Sequence, residues 1–256
     1  SHFPEAWTMV FETSAIPSEH GDGIVKDYFH SAMYLPKKRA KLIFSIAMFY
    51  SVPDPNTFVA DIKEVLATDG VWIVQMNDVA SMVAQNAYDF IGHEHVIFYT
   101  ARRFMELAAA HGLQVFHAEH NMVNGGSLRL FVSHAGKREP SKGLWHTLQW
   151  EKGVLYARGN LASTMLGFSK RVDAGQAQLR EMVSEAASKD LVHVYGASTR
   201  GCTILQASNI RREQVFAAAD RDERKWGYLV PGTDIPIVSE EESRKAKPAF
   251  YLLNIY

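Results

Sequence analysis

The feature that most constrains the fold is an alternation of two apolar strands with one amphipathic helix over residues 41–76. KLIFSIAMF is a nearly continuous apolar run, as expected for a strand buried on both faces of a parallel sheet. The segment VPDPNTFVADIKEVLATDG predicts a helix whose start is signalled by the prolines and Asn56 and whose end is signalled by Gly70. VWIVQM predicts the next buried strand. Such an alternation implies right-handed crossovers and a parallel sheet.

The remainder of the chain continues the α/β pattern and divides it into two units. Residues 1–23 show no clear period and no strand followed by a glycine loop. The further predicted elements, in chain order, are a strand in GIVKDYF, a capped helix and strand in TARRFMELAAAHGLQVFHAEH, a strand in GSLRLFVSH, helices from about Gly143 to Lys189 with breaks near Gly153 and Gly159, a strand–turn–helix in LVHVYGASTRGCTILQASNI, a strand in QVFAAADRDE and a strand in PAFYLLNIY.

Composition excludes several classes of protein. Lys and Arg number 27 against 28 Asp and Glu, so the basic excess typical of nucleic-acid binding is absent. No apolar run approaches the roughly 20 residues that span a bilayer, and the amino terminus is unlike a signal peptide. The single cysteine, Cys202, excludes an internal disulfide framework and a multi-cysteine zinc site. We therefore expect a cytoplasmic protein with no membrane or nucleic-acid partner.

The segment YDFIGHEHVIFYT places His93, Glu94 and His95 side by side between apolar residues. Ionisable groups in such a run are costly unless they are paired, solvated or used. A metal site is disfavoured because a second ligand set with helical H-x-x-x-H spacing is missing. Hydrogen-bonded core histidines, a solvated loop and acid–base catalysis all remain open, the last because the unperturbed histidine pKa suits it.

Two glycine-containing segments are candidate ligand contacts. GASTRG, from Gly196 to Gly201, lies between a strand and a helix, where backbone N–H groups can hold a phosphate. Asp220 lies 24 positions after Gly196, close to where a Rossmann unit places its ribose-binding acid. The glycine spacing, however, departs from G-x-G-x-x-G. NGGSLRLF, from Asn124 to Phe131, suits close approach of a ligand. A simple tight turn or bulge is the alternative for both segments.

Taken together and in this order, the HEH segment, NMVNGGSLRLF, YGASTRG and the KWG…GTDIPI series resemble the S-adenosylmethionine-dependent sugar C-methyltransferase family. That family acts on nucleotide-linked deoxyketosugars, and the resemblance covers about residues 24–256. It implies a partial Rossmann-type methyltransferase core in residues 1–134. Residues 135–256 would form a helical segment and a second Rossmann-like α/β domain that binds the sugar nucleotide. The family's zinc domain and first cofactor loop lack a counterpart. We therefore expect a fragment of a longer protein, with the loss of part of the cofactor site as the alternative.

The resemblance also implies a mechanism. A base removes the proton beside a keto group, and the enolate attacks the sulfonium methyl group of the cofactor in line. By position the base is His95, while Glu94 orients it or shares its charge. His93 is expected close to the enolate or the sugar.

Two departures from the family pattern bear on the acceptor. Members commonly have a tyrosine immediately before HEH, where this chain has Gly92, and often a histidine where it has Ser51. Those groups are expected to touch the sugar or its carbonyl. Tyr50 and Tyr99 are the candidate replacements, and a different acceptor or an altered acid–base scheme is the alternative.

Binding residues follow from the resemblance as well. The carboxyl ends of parallel strands are the usual ligand-binding edge of such sheets. For S-adenosylmethionine the implied residues are Asp27 and Tyr28 at the adenine and Ala47 and Met48 at the methionine moiety, with core packing as the alternative for Tyr28 and Met48. For the nucleotide sugar they are Asn124, Gly126, Ser127, Gly196, Ser198 and Arg200, the last suited to bidentate phosphate contact.

Two other functions compete with this prediction. A degenerate methyltransferase would bind a nucleotide sugar or act as a scaffold without transferring a methyl group. A nicotinamide-dependent oxidoreductase built on GASTRG is weakened by the irregular glycine spacing and by the few strands that follow it.

Overall fold

Three β-sheets organise the part of the chain that the structure describes. The structure is a computed structural model that describes residues 6–13, 21–34, 38–157 and 159–253, with Asn124 described by its backbone alone. The strands and helices, in chain order, are β1 (Met9–Phe11), β2 (Gly23–Val25), β3 (Ala40–Ile46), α1 (Pro55–Val65), β4 (Leu66–Met76), α2 (Val79–Gln85), α3 (Ala101–Ala110), β5 (Leu113–Asn121), β6 (Ser127–His134), α4 (Lys142–Leu155), α5 (Leu161–Lys189), β7 (Val192–Tyr195), α6 (Thr199–Ala207), β8 (Ala217–Ala219), β9 (Ile237–Val238), α7 (Glu240–Ala246) and β10 (Phe250–Leu253). The predicted α/β class is confirmed.

The first large sheet has the strand order β3-β4-β6-β5. β3 and β4 pair in parallel, as expected from their helical crossover. β6 runs antiparallel to both of its neighbours, so the prediction of a wholly parallel sheet is wrong for this strand. The reason is the short link between β5 and β6, which is long enough for an antiparallel return but too short for a crossover.

One core holds the helices α1, α3 and α4 against this sheet. At its centre Trp72, Phe49 and Phe104 are completely buried, with ring centroids 5.2 to 5.7 Å apart. The indole N–H of Trp72 donates to the Ser45 hydroxyl at 3.0 Å, so the one polar atom of this ring is satisfied. The aromatic cluster fixes the carboxyl ends of β3 and β4, where the candidate site lies.

β3 is buried on one face only. Leu42, Phe44 and Ile46 alternate along the strand and remain 40, 54 and 55% exposed. The prediction that this run is buried on both faces is therefore wrong, because within the described ranges no element covers these side chains.

The boundaries of α1 also differ from the prediction. Asp54 caps the helix by accepting from the Asn56 and Thr57 N–H groups, and Pro55 occupies its first position. The helix ends at Val65 and passes directly into β4, so the predicted stop at Gly70 is wrong. Gly70 lies inside β4, where a Cβ would come within 2.8 Å of the Ala40 carbonyl oxygen; close approach of the backbones selects this glycine.

The second large sheet is wholly parallel, with the strand order β10-β7-β8-β9. Val183 of α5 and Leu205 of α6 pack with its strands in a second core. The helical region before it is interrupted between α4 and α5, near Gly159 as predicted. The predicted break at Gly153 is wrong, because α4 continues through that residue to Leu155. No helix in the described ranges has the length and apolar composition to cross a bilayer.

Candidate active site

A cleft opens where β3 and β4 end. It is narrow, with a free volume of about 10 Å³, and is lined by Tyr50, Asn77, Asp78, Met82, Phe90, His95, Ile97 and Phe98. A second cleft, which is almost filled by its own side chains, shares four of these residues and extends along α2 to the β5–β6 link, through Ser81, Gln85, Ala87, Gly125 and Gly126. The two together form a groove at the carboxyl ends of parallel strands, the usual ligand site of such sheets.

His95 is the member of the HEH triplet that lines the cleft. Its ring centroid lies 4.1 Å from that of Tyr50 and 6.1 Å from that of Phe90, with which it is stacked at 22°. The segment is tied down by its backbone, because the Val96 and Ile97 N–H groups both donate to the Tyr50 carbonyl, at 2.9 and 3.1 Å. His95 is therefore half-buried on a fixed loop, in contact with the rings of Tyr50 and Phe90.

The other two residues of the triplet lie outside the cleft. His93 and Glu94 are exposed on the turn that precedes His95. Glu94 still influences the cleft, because burial and, secondarily, its carboxylate raise the pKa of Tyr50 above the ordinary value. The phenol of Tyr50 consequently keeps its proton at neutral pH and can act as a hydrogen-bond donor.

Of the two tyrosines proposed to replace the family's missing groups, the structure brings one to the cleft. Tyr50 lines it, whereas Tyr99 is 5% exposed within the aromatic core. Burial raises the pKa of Tyr99 to about 12, and its hydroxyl finds no hydrogen-bond partner among the described residues. Gly92 faces open space, since a Cβ built there would meet no atom within 4 Å.

Asn77 and Asp78 are cleft residues that the sequence analysis missed. Asp78 is buried and caps α2 by accepting from the Ala80 and Ser81 N–H groups, each at 3.0 Å. Asn77 donates from its side-chain amide to the Gly126 carbonyl at 2.6 Å and so joins the two clefts. Their position directly after the buried strand VWIVQM was the available signal, because polar residues at that edge commonly face a ligand.

The residues expected at the β5–β6 link divide between the cleft and the backbone turn. Gly126 lines the second cleft at φ 129°, and a Cβ there would lie 2.5 Å from the Gln85 amide nitrogen. Ser127 is buried and donates to the Val123 carbonyl at 2.8 Å, which stabilises the turn. The side chain of Asn124 lies outside the described part of the structure.

The four residues expected at S-adenosylmethionine line neither cleft. Asp27 and Tyr28 follow β2 and are exposed, Tyr28 by 68%. Ala47 adopts a left-handed backbone, φ 54°, and donates to the Gln75 carbonyl at 2.8 Å. Met48 is 37% exposed. All four residues come after the end of β2 or β3, and each of these strands is paired in parallel with its neighbour.

The part of the chain built on the β10-β7-β8-β9 sheet is the second domain, and the part built on the β3-β4-β6-β5 sheet is the first. In the second domain the GASTRG turn forms as predicted, but the Gly196 N–H already donates to the Ala219 carbonyl at 2.7 Å. Gly196 has φ 95°, and Ser198 caps α6 by accepting from the Gly201 N–H at 3.1 Å. The Ala197 N–H donates to Asp220 Oδ2 at 2.8 Å. Asp220 thus lies where the sequence placed it, at the end of β8, with its carboxylate against the turn.

Lys225 completes this arrangement. Its ammonium donates to Asp220 Oδ2 at 3.0 Å and to the Ala197 carbonyl at 3.1 Å. Burial acts to raise the pKa of Asp220, but hydrogen bonds from the Asp222 and Ala197 N–H groups and from Lys225 lower it overall. The carboxylate is therefore ionised at neutral pH.

Arg200 points from α6 towards the first domain. Its Nε donates to Asp89 Oδ2, and its Cζ lies 3.8 Å from the centroid of the Phe90 ring. Both charged side chains are largely buried, with 18 and 4% of their surfaces exposed. Among the described residues, no three His, Cys, Asp or Glu side chains form a group that could hold a metal ion.

Comparison with known proteins identifies relatives of both domains. Residues 122–254 match the family described as "C-methyltransferase C-terminal domain", and residues 4–118 match the family described as "Methyltransferase domain". The chain is 28% identical over 216 residues to the C-methyltransferase NovU of Streptomyces niveus. That alignment covers 84% of this chain and 51% of NovU, so the chain spans about half the length of this curated relative.

Two solved structures are distant neighbours. The LepI complex with SAM is 15% identical, with a TM-score of 0.40, and the match covers 52% of this chain and 38% of LepI. The O-methyltransferase of a trans-AT PKS multienzyme of Brevibacillus brevis, in complex with S-adenosyl-L-homocysteine, is 12% identical, with a TM-score of 0.32 and 60% of each chain covered. Likenesses at this level support no statement about function.

Proposed function

Because the chain belongs to the family defined by the C-methyltransferase C-terminal domain, we propose that it transfers a methyl group from S-adenosylmethionine to a carbon beside a keto group. The acceptor is a nucleotide-linked deoxysugar or a similar keto compound. The observation that carries the proposal is the position of His95, half-buried in the cleft at the ends of β3 and β4 and 4.1 Å, ring to ring, from Tyr50.

His95 acts as the general base in this proposal. Its neutral imidazole removes the proton from the acceptor carbon, and the protonated phenol of Tyr50 donates a hydrogen bond to the enolate oxygen that develops. General-base catalysis by a positioned histidine is worth about 10²- to 10⁴-fold. Donation to a developing oxyanion is worth about 10²- to 10³-fold. His93 and Glu94 remain on the exposed turn. The charge of Glu94 helps to raise the pKa of Tyr50 and so to keep its phenol protonated.

The cofactor residues suit their proposed ligand by their chemistry. Asp27 offers a carboxylate acceptor for an adenosine hydroxyl or amino group, while the exposed surfaces of Tyr28 and Met48 offer apolar area for a ring and a methionyl chain. Ala47 directly follows the end of β3 and precedes Met48. When bound, S-adenosylmethionine supplies the sulfonium methyl group that the enolate carbon attacks.

The nucleotide sugar would extend from the cleft towards the second domain. Gly126, whose carbonyl accepts from the Asn77 amide, would bring its backbone close to the sugar, and Gln85 packs against it. The Gly196 turn and the Ser198-capped start of α6 lie beyond, where the positive end of the helix dipole favours an anion such as a diphosphate. Lys225, held at the same turn, adds a cation.

The test is single-turnover methylation of a thymidine diphosphate-linked ketodeoxysugar by His95→Gln. We expect a loss of at least about 100-fold, since the base is removed while glutamine preserves much of the side-chain volume. His146→Gln is the matched control, because His146 is an exposed histidine on α4. Methyl transfer by His95→Gln at the rate of the unaltered chain would refute the role of His95.

Calorimetric titration separates this function from its alternatives. Binding of S-adenosylhomocysteine supports a methyltransferase, whereas binding of thymidine diphosphate alone would favour a degenerate, substrate-holding protein. The nicotinamide-dependent alternative loses support because Asp220, its ribose-binding acid, already accepts from Ala197 and pairs with Lys225.

A further inference from the structure

The two domains meet where the 3₁₀ turn Tyr88–Phe90 packs against α6. At the start of α6, Arg200 donates to Asp89 and lies over the Phe90 ring. At the end of α6, the hydroxyls of Tyr88 and Ser208 are 3.5 Å apart. One helix of the second domain is therefore attached at both ends to the turn that immediately precedes the HEH segment.

The Phe90 ring connects this interface to the cleft. One contact of the ring is the Arg200 guanidinium, with Cζ 3.8 Å from its centroid. The other is the imidazole of His95, stacked at 22° with the centroids 6.1 Å apart. Phe90 is only 6% exposed and lines both clefts, so it has little room to move independently of either neighbour.

The chemistry of the pair explains why arginine occupies this position. A planar guanidinium can stack on an aromatic ring while its N–H groups bond a carboxylate, a geometry that the compact lysine ammonium lacks. Because the Asp89 side chain is 4% exposed, removal of either partner breaks a largely buried ion pair, which is costly.

We propose that Arg200 is a positioning residue that holds His95 in the cleft through Asp89 and Phe90. This role differs from the phosphate contact expected from the sequence, because the guanidinium is directed at the first domain. Its kinetic consequences rest on the proposed function, whereas its structural consequences do not. The substrate would then meet an imidazole whose place is set by the second domain.

The first measurement is the proton NMR spectrum of the His95 ring in Arg200→Lys and in Asp89→Asn. We expect the His95 signals to move in the same direction in both variants, because both release Phe90 and so change the ring current at His95. Arg212→Lys is the matched control: Arg212 lies 5.1 Å from the Phe216 ring centroid in the same domain, on an exposed surface. Unmoved His95 signals in both folded variants would overturn the inference.

Kinetics provide the second measurement. A positioning role predicts a fall in kcat of about 10- to 100-fold in both variants, with KM for the nucleotide sugar nearly constant, because a small misplacement of a catalytic group is costly. A phosphate ligand would instead raise KM in Arg200→Lys and leave Asp89→Asn nearly unaffected, which would contradict the proposal.

Two further controls keep the outcomes distinct. If Asp89→Asn fails to fold, the double variant Asp89→Asn, Arg200→Met removes both charges and should fold with displaced His95 signals; native signals there would contradict the inference. If the unaltered chain methylates no acceptor, the proposed function fails, and the NMR measurement alone decides the role of Arg200.

Discussion

We predict that His193 makes the second domain sensitive to acid. His193 lies in β7, is 1% exposed and stacks on Phe216 at 10° with ring centroids 5.9 Å apart. Its Nδ1 is hydrogen-bonded to the Ser243 hydroxyl at 2.8 Å, while its Nε2 finds no partner among the described residues. Burial lowers the pKa of His193 below the ordinary 6.5.

The direction of the effect follows from which state binds the proton. As the pH falls below 6.5, His193 becomes protonated in the unfolded chain but stays neutral in the folded one. The unfolded state then binds more protons, so its free energy decreases relative to that of the folded state. The stability that neutral His193 contributes is fully present above pH 6.5. It is lost as the pH falls towards the pKa of His193 in the folded state. In that window the slope approaches about 1.4 kcal/mol per pH unit.

The assay is native-state hydrogen exchange of the β7 and β8 amides between pH 5 and pH 8, corrected for intrinsic exchange. Exchange gives the opening free energy of this domain separately from that of the first. His193→Gln should remove the acid-dependent part, so the stability advantage of the unaltered chain over the variant shrinks as the pH falls. His146→Gln, at an exposed position of α4, should leave the pH dependence unchanged. Parallel curves for the unaltered chain and His193→Gln would refute the reasoning.

Two further predictions concern the cleft and the turn that precedes His95. Tyr50→Phe should lower kcat about 10²-fold, because the enolate loses its phenol donor while the ring contact with His95 remains. Tyr99→Phe, which removes a buried hydroxyl without a described partner, should leave turnover unchanged and not lower stability; equal losses in the two variants would disprove the assignment. Gly92→Tyr should change the unfolding free energy by less than about 0.5 kcal/mol, and Tm by less than about 2 °C, because a Cβ there meets no atom within 4 Å. A larger fall in Tm would show that the space at Gly92 is needed.

Local sequence signals correctly predicted those helices and turns whose ends are set by residues within the element itself. The helix α3 begins at Ala101 because the Thr100 hydroxyl accepts from the Arg103 N–H, as the TARRF pattern predicted. The strand–turn–helix at β7 and α6 formed for the same reason, with Ser198 as its cap. Caps, apolar periods and glycine turns act over a few residues and can be read without knowing the fold.

Burial and strand direction were decided by tertiary structure. The nearly continuous apolar run of β3 predicted a strand buried on both faces, yet only its neighbours in space determine which side chains are covered. In the sequence Gly70 resembled a helix stop. The reason for this glycine is its close contact with Ala40, a residue distant in the chain, and that contact exists only in the folded sheet. β6 paired antiparallel because of a link whose length mattered more than the apolar pattern on either side.

The sequence by itself determined the α/β class, most of the elements and the HEH segment that carries His95. Only the tertiary structure separated His95 from His93 and Glu94, because one residue in a turn can face a cleft while its neighbours face solvent. Only the tertiary structure brought Arg200 to Asp89 across 111 positions of chain. Such contacts are set by how two separately patterned domains pack together, and no local sequence signal specifies that packing.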